Sequence, residues 1–286
     1  MSSVGNESSL QVKSKLVKFL NMVLLFVFTF IIIVPLLAVL SVSLKTPAEY
    51  ATTNVLDIPK NIFNIENYGF VFAKSKMLTG FKNTVIIMLI SLLLNTTLGT
   101  MVSYVLGRFK FKLRNIFLTA YVISALIPAT LTQIAQFQLI KGLGLYNTML
   151  SVILIYSAAN VMQVYIYLQY IDKIPISMDE SATIDGASYF KIFIYIIIPM
   201  IKPAIATFII LQSIGIYNDF FYPFIYMPSN SLKTVATALY AFSGFRITEW
   251  TLMSAAVVVV LLPTILLYVF LQKYIIAGVT EGSVKG

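Results

Sequence analysis

Residues 172–203 read DKIPISMDESATIDGASYFKIFIYIIIPMIKP and hold four of the eleven acidic residues of the chain. Within this segment Ser177 and Glu180 have the S-x-x-E spacing of a capping box, which predicts a short helix over about 178–184. Gly186 suits a left-handed backbone position, so we expect the chain to turn there. The first half of the segment therefore predicts a helix followed by a turn.

The second half of the segment is apolar with a helical period. Four residues recur at the spacing i, i+3, i+4 and i+7: Phe190, Phe193, Ile194 and Ile197. Such a stripe can lie against the bilayer or against the ends of other helices. Pro199 and Pro203 follow and are expected to break or redirect the helix, because proline lacks the backbone N–H.

The composition around this segment is that of an integral membrane protein. The 286 residues are 59% hydrophobic and 11% charged, and their mean hydropathy is +0.89, whereas soluble chains carry about 25% charged residues. Cysteine and histidine are absent, which excludes thiolate nucleophiles, disulfides, thiolate zinc sites and histidine acid–base chemistry. The net charge of +9 comes from basic residues scattered between apolar runs, so it indicates membrane topology rather than nucleic-acid binding.

Six stretches are long and apolar enough to cross the hydrocarbon core, which takes about 20 residues. They are 19–44, 83–107, 115–140, 142–171, 203–224 and 250–272. Only the fifth is interrupted by an ionisable residue, Asp219. The first is too long for a signal-peptide core. The predicted fold is therefore all-α, with six transmembrane helices.

Lysine and arginine in the short loops predict the orientation. They cluster before the first span and directly after the second: Lys13, Lys15, Lys18, Arg108, Lys110, Lys112 and Arg114. Both clusters are assigned to the cytoplasm, which places both termini and the segment 172–202 there as well. The stretches 45–82 and 226–249 are then assigned to the outside. We expect an N-terminal tail over 1–18, a permease domain over 19–276 and a C-terminal tail over 277–286.

The segment 172–202 resembles the EAA loop of bacterial ABC importer permeases, usually written E-A-A-x3-G-x9-I-x-L-P. The matching order is Glu180-Ser181-Ala182, three residues, Gly186, nine residues and Ile196-Ile197-Ile198-Pro199. Asp185-Gly186-Ala187 is similar to the D-G-A within that loop. Ser181 stands for the usual alanine and Ile198 for leucine, and both changes are small.

This resemblance implies a docking role for the loop, in which the short helix seats in a groove of a cytoplasmic ATPase subunit. The residues that it assigns to coupling are Glu180, Ser181, Ala182, Asp185, Gly186, Ala187, Ile196 and Pro199. The alternative is that Glu180 merely caps a helix and Gly186 merely ends one. Both roles can hold together, since a capped helix is a better docking element.

Phrases elsewhere narrow the resemblance to carbohydrate-importer permeases of the maltose-system type. They are Asn83-Thr84, GRFKF at 107–111, LGLYNT at 143–148, YNDFFYPF at 217–224 and AGVTEGSVKG at 277–286. The last resembles the terminus of the second permease subunit of such systems. Their common order along the chain carries more weight than any one of them.

The resemblance also implies the partners of this chain in a bacterial plasma membrane. They are a second permease, two ATP-binding subunits and an extracytoplasmic sugar-binding protein. The chain contains no G-x4-G-K-S/T phosphate loop, so ATP and magnesium are expected on the partner ATPase. We expect no catalytic, cofactor-binding or metal-binding residue here, and no nucleic-acid partner.

Polar residues inside the spans are candidates for a substrate path or gate. Asp219 is an ionisable residue within a span, which is costly and indicates function. The candidates are Gln133, Gln136, Asn160, Gln163, Tyr217, Asn218 and Asp219. For the amides, the alternative is that they bond across helices, which is common in membranes. For Asp219, the alternatives are a structural hydrogen bond at a gate and direct sugar contact.

Two other functions compete with the importer hypothesis. An ion-coupled secondary transporter usually has more spans, internal repeats and several intramembrane ionisable groups. An intramembrane enzyme would need a nucleophile with a base, and without histidine or cysteine only Ser–Lys or aspartate schemes remain. Dependence of transport on ATP and on other subunits distinguishes the three functions.

Overall fold

The computed structural model describes residues 4–74, 76–243 and 250–283, and within them it is helical with no β-strand. The helices are α1 (Val4–Leu44), α2 (Pro47–Tyr50), α3 (Glu66–Lys74), α4 (Met77–Arg108), α5 (Arg114–Leu126), α6 (Ala129–Gly142), α7 (Met149–Ser157), α8 (Val161–Ile171), α9 (Ile176–Ile184), α10 (Tyr189–Ile192), α11 (Ile198–Met200), α12 (Lys202–Asn218), α13 (Phe221–Tyr226), α14 (Val235–Ser243) and α15 (Trp250–Ser283). A π-turn over Phe193–Ile197 joins α10 to α11, and a 3₁₀ turn over Asn230–Leu232 precedes α14.

The chain divides into two compact units. The first contains the residues up to Ala73 together with Phe242–Val259. The second contains Lys74–Ala241 and the residues from Val260 onward. The coupling segment and all seven pathway candidates lie in the second unit.

In the first unit, α1 begins at Val4, well before the predicted span at 19, and its apolar part is Val17–Leu44. Its end is tied to α3 by Asn67, whose amide Nδ2 donates to the carbonyls of Ser43 and Lys45 at 2.8 and 2.9 Å. Likewise α15 continues to Ser283, past the predicted start of the C-terminal tail at 277.

The structure has fewer uninterrupted spans than the six predicted. Among the described residues, two helices are long and apolar enough to cross a membrane alone, namely Val17–Leu44 and α4. Two predicted spans are bent pairs: α5 with α6 at 104° and α7 with α8 at 41°. A third bent pair, α10–α11 with α12 at 73°, has its break at Ile201, just before the predicted start of the fifth span at 203. The apolar part of α15, Trp250–Leu266, is shorter.

The prediction of one continuous helix over 115–140 was wrong. The chain breaks between α5 and α6 at Ile127, whose ψ of 118° is extended, and Pro128 begins the next helix. Proline disfavours helical backbone at the residue before it and lacks an N–H to continue the helix. The predicted span 203–224 also divides, because α12 ends at Asn218 and α13 begins at Phe221.

Helix α4 lies at the centre of the second unit, in contact with α7, α8 and α12. One face of α4 is built from small or amide side chains four residues apart, all buried: Ser91, Asn95, Gly99 and Ser103. Small residues let helix backbones approach closely in membranes. A Cβ at Gly99 would clash with the buried amide end of Gln163 on α8, so a larger residue here would require that side chain to move.

Candidate coupling site and substrate pathway

The candidate coupling helix α9 runs over Ile176–Ile184 and ends in a Schellman motif. The amide of Gly186 donates to the carbonyl of Thr183 at 3.0 Å, and the amide of Ala187 donates to that of Ala182 at 2.9 Å. Gly186 has a φ of +79°, the left-handed conformation that this motif needs and glycine adopts without strain. The predicted turn at Gly186 is confirmed.

The predicted capping box does not form. Helix α9 begins two residues earlier than predicted, after Pro175, and no side chain caps its first turn. Ser177 therefore lies inside the helix, where its hydroxyl cannot act as an N-cap. The fixed φ of Pro175, −58° here, sets the start of the helix in place of a serine cap.

The predicted coupling residues divide into an exposed group and a partly buried group. Glu180, Ser181, Asp185 and Gly186 are exposed, and so is Pro199. The three others, Ala182, Ala187 and Ile196, pack together against one apolar core. The core consists of Tyr104, Tyr167, Ile171, Ile174, Ile192, Phe193, Ile197, Ile201, Ala204 and Phe208.

The apolar stripe after α9 differs from its prediction. Phe193 and Ile197 are buried as expected, but Phe190 is 61% exposed and Ile194 is 36% exposed. The π-turn over Phe193–Ile197 adds a residue to one turn, which rotates the later residues relative to an α-helix. The chain then changes direction by 73° before α12, as Pro199 and Pro203 predict.

The C-terminal end of α4 holds the coupling segment. Arg108 donates through Nη2 to the carbonyl of Ile174, just before α9, at 2.9 Å. Its Nε lies 2.9 Å from Oδ2 of Asp179 in the first turn of α9, and this contact is ionic because the N–H is not aimed as in a hydrogen bond. Tyr104 donates to the carbonyl of Tyr189, after α9, at 3.3 Å.

These contacts were not predicted from the sequence. Arg108 counted only as a cytoplasmic charge and as part of the phrase GRFKF, and Asp179 was one acidic residue among four in the loop. The phrase was the available signal, since it places an arginine at the end of a span on the same side of the membrane as the loop. The contact itself joins residues 71 positions apart and required the fold.

The amide pair in the fourth predicted span makes its hydrogen bonds to other groups of the chain. Asn160 caps α8, where its Oδ1 accepts from the amide of Gln163 at 2.9 Å. The Gln163 side chain is fully buried and donates through Nε2 to Oδ1 and the backbone carbonyl of Asn95 at 2.8 and 3.1 Å. Both side chains therefore organise helices, and Gln163 joins α8 to α4.

Gln133 and Gln136 lie about one turn apart on α6, and both are half-buried. Each keeps part of its surface accessible, in contrast to Gln163. Among the described residues, this predicted pair therefore keeps both of its amide groups partly accessible along one helix.

The three consecutive candidates at the end of α12 point to different partners. Tyr217 donates through its hydroxyl to the carbonyl of Val260 at 2.8 Å. Asn218 is exposed and donates to the carbonyl of Ile214 on its own helix at 2.9 Å. Asp219 accepts through Oδ2 from the Tyr156 hydroxyl at 2.7 Å.

Asp219 also caps the next helix. Its Oδ1 accepts from the amides of Phe221 and Tyr222 at 2.7 and 3.2 Å, the first two amides of α13. A carboxylate in this position satisfies N–H groups that have no partner within the helix. The one ionisable side chain of this span thus joins α12, α13 and α7 at a break in the helix.

A long helix at the centre of the second unit, a row of bent helix pairs and a short helix that ends in a turn at Gly186 are the features with which known proteins were compared. Residues 99–281 match the model of the family described as binding-protein-dependent transport system inner membrane component. The match covers more than half of the chain, so the chain belongs to this family. It is therefore an inner-membrane protein, as its composition predicts, and the resemblance to importer permeases is confirmed.

Two relatives and one solved structure illustrate the likeness. The melibiose/raffinose/stachyose import permease protein MelC of Bacillus subtilis is 30% identical over 88% of this chain and 91% of its own. The arabinooligosaccharides transport system permease protein AraQ of the same organism is 32% identical over 88% and 90%. A chain of a bacterial ABC transporter that imports the acidic polysaccharide alginate shares the fold, with a TM-score of 0.81 at 23% identity over 91% and 96%.

Proposed function

We propose that this chain is a permease subunit of an ATP-driven importer and forms half of the pathway for a sugar or oligosaccharide. The family match over 99–281 carries the proposal. The names of two relatives support the substrate class, because MelC and AraQ are both named for import of oligosaccharides. The second permease subunit would supply the other half of the pathway.

Helix α9 couples this pathway to ATP hydrolysis on a separate subunit. Its exposed Glu180, Ser181 and Asp185 offer two charges and a small side chain to a docking groove, and Gly186 permits close approach. Ala182, Ala187 and Ile196 pack on the apolar core and so hold the helix in place. ATP and magnesium bind to the two ATPase partners, and an extracytoplasmic sugar-binding protein delivers the substrate.

The polar residues of the spans take two roles in this proposal. Gln133, Gln136 and Asn218 keep accessible polar groups and are the candidates for contact with saccharide hydroxyls. Asn160, Gln163, Tyr217 and Asp219 hold helices together at bends and crossings. A helix break held by Asp219 and Tyr156 is suited to a gate, because it can change angle without unfolding either helix.

The proposed topology has six spans with both termini in the cytoplasm. In it, α5 with α6, α7 with α8, and α12 with α13 each count as one span, and α1, α4 and the apolar part of α15 supply the rest. A helical break inside a membrane is tolerated where neighbouring protein satisfies the freed backbone groups. The ion-coupled transporter is the less favoured function, because the family match points to a binding-protein-dependent system.

Copurification tests this function. The tagged chain is solubilised gently from membranes of the source cell, as wild type, Glu180→Lys and Glu66→Lys. Glu66 is also exposed but begins α3, in the loop assigned to the opposite side of the membrane, so its variant is a matched charge reversal. We expect wild type and Glu66→Lys to bring down an ATPase and a second permease, and Glu180→Lys to lose the ATPase alone.

Uptake by intact cells then tests the substrate class. Labelled raffinose and arabinotriose serve as probes, with and without depletion of ATP. ATP-dependent uptake of either probe that is lost on deletion of this chain supports a saccharide importer. Recovery of the wild-type chain alone, or uptake driven by an ion gradient, would contradict the importer function.

A further inference from the structure

Arg108 connects α9 to α4 through two contacts made by one guanidinium. It binds the carbonyl of Ile174 before α9 and the carboxylate of Asp179 within it. Both side chains are largely buried, with Arg108 8% exposed and Asp179 15% exposed. A charge pair withdrawn from water in this way is held by its partner rather than by solvent, so separation of the two groups is costly.

A second residue of α4 holds the other side of the loop. Tyr104 lies four residues before Arg108, hence on the same face of the helix, and donates to the carbonyl of Tyr189 after α9. Its ring packs against those of Phe109 and Phe193 at centroid distances of 5.5 and 5.3 Å. The end of α4 thus binds the chain before, within and after the coupling helix.

Two connections join α9 to the membrane helices, one covalent and one through Arg108, and they differ in stiffness. The covalent route to α12 passes through the π-turn at Phe193–Ile197 and a bend of 73°, and π-turns interrupt the regular helical hydrogen bonds. The route through Arg108 leads directly into α4, an unbroken helix of 32 residues that packs on α7, α8 and α12. A displacement of α9 is therefore passed on more directly to α4.

We propose that Arg108 is the positioning residue that makes α9 and α4 move as one body during the transport cycle. This inference rests on the proposed function, since the displacement originates at the ATPase partner. Arg108 contacts neither substrate nor ATP in this arrangement; it acts through Asp179. Loss of Arg108 should leave α9 docked on the ATPase but free to move relative to α4.

Spin labels test this movement without knowledge of the substrate. The chain has no cysteine, so two can be introduced at exposed positions, Ser177→Cys on α9 and Val105→Cys on α4. The distance between the labels is measured in the intact importer, before and after trapping with ATP and vanadate. The chain with the two labels and no other change is the background chain. We expect it to give one narrow distance that is the same in both states. Arg108→Gln in that background should give a broad or shifted distance.

Arg114→Gln is the matched control. Arg114 carries the same charge in the same loop, but its Nε donates to the carbonyl of Leu106, within the α4 end and away from α9. It should behave as the background. If Arg108→Gln and Arg114→Gln give the same distances, the role of Arg108 is wrong while the importer function stands. If no ATPase copurifies with the background chain, both the role of Arg108 and the importer function are wrong.

Charge exchange separates pairing from general damage. Arg108→Asp and Asp179→Arg are made singly and together, and uptake of raffinose and arabinotriose is measured at equal complex abundance. Each single variant should lower the maximal uptake rate at least about tenfold, as expected when a coupling contact is lost. The probe concentration that gives half of the maximal rate should change little. The exchanged pair should recover most of that loss. No recovery, with the complex assembled, would overturn the pairing.

Discussion

The two ends of α4 bind the rest of the second unit with different chemistry. At the N-terminal end, Asn83 donates to the carbonyls of Ser231 and Lys233, both at 2.9 Å, and Thr84 accepts from the amide of Val235 at 3.0 Å. At the C-terminal end, the contacts are those of Arg108 and Tyr104 with the coupling segment. Both ends use side chains on backbone groups, but only the C-terminal end adds an ion pair, Arg108–Asp179.

The difference suits two mechanical tasks. Asn83 and Thr84 are 3% and 1% exposed, and each bond has a fixed direction, so the N-terminal end sets one position of the segment 231–235. At the C-terminal end, Arg108 binds the chain before α9 and within it. This end therefore holds the helix that we propose to move together with α4.

Asn83→Ala should give the largest loss of stability, because it leaves two carbonyls without a donor in a buried site. We expect the free energy of unfolding to fall by about 2–5 kcal/mol. The measurement is the temperature at which half of the detergent-solubilised protein loses its monodisperse peak. Asn115→Ala, at an exposed residue of α5, is the control and should change the thermal stability little. An equal loss of stability in both variants would show that the N-terminal end of α4 has no special role.

Gly80→Ala should give an intermediate loss at the same end of α4. A Cβ at Gly80 would lie 3.1 Å from the backbone carbon and oxygen of Thr234, and backbone cannot move aside as a flexible side chain can. We expect a cost of about 1–3 kcal/mol in the same thermal assay.

Gly215→Ala is the control for that substitution. Gly215 lies within α12 and has no atom within 4 Å of its virtual Cβ, so alanine should be neutral or slightly stabilising there. Destabilisation at both positions would show that helix geometry, and not the contact with Thr234, is what requires glycine at position 80.

Salt should give the smallest effect, and only at the C-terminal end. Raising the ionic strength from about 0.1 to 1 M shortens the screening length from about 10 to 3 Å, which weakens the Arg108–Asp179 attraction. We expect wild type to lose less than about 1 kcal/mol and Asp179→Asn to show a smaller salt dependence. Equal salt dependence in both proteins would mean that bulk ions do not reach the pair and do not screen it. Asn83→Ala should respond to salt as wild type does.

Local rules predicted those features of the fold that depend on neighbouring residues. Gly186 was identified as a left-handed turn from its place after a short helix, and Pro199 with Pro203 predicted the change of direction before α12. Pro128 was equally readable as a break in the third span, but the apolar run over 115–140 was interpreted by hydropathy alone. The capping box at Ser177 was wrong because Pro175, three residues before Met178, had already started the helix.

The candidate site was predicted less completely, because its contacts join distant parts of the chain. Glu180 and Asp185 were found by their spacing in one loop. The partners of Asp179, Gln163 and Asp219 are 71, 68 and 63 residues away, and spacing along the chain carries no information about such pairs. An amide in a span predicts a hydrogen bond, but not whether its partner is a sugar or another helix.

The sequence by itself determined that this protein lies in a membrane, that it is helical, and that a short helix in the coupling segment ends at a glycine turn. Hydropathy, proline and glycine act over a few residues, so these features follow from composition and spacing. Only the tertiary structure decided that α4 is the central helix and that Arg108 holds α9. An ion pair forms where folding brings two charges to about 3 Å and removes water from around them, and the packing of α4 against its neighbours sets that geometry.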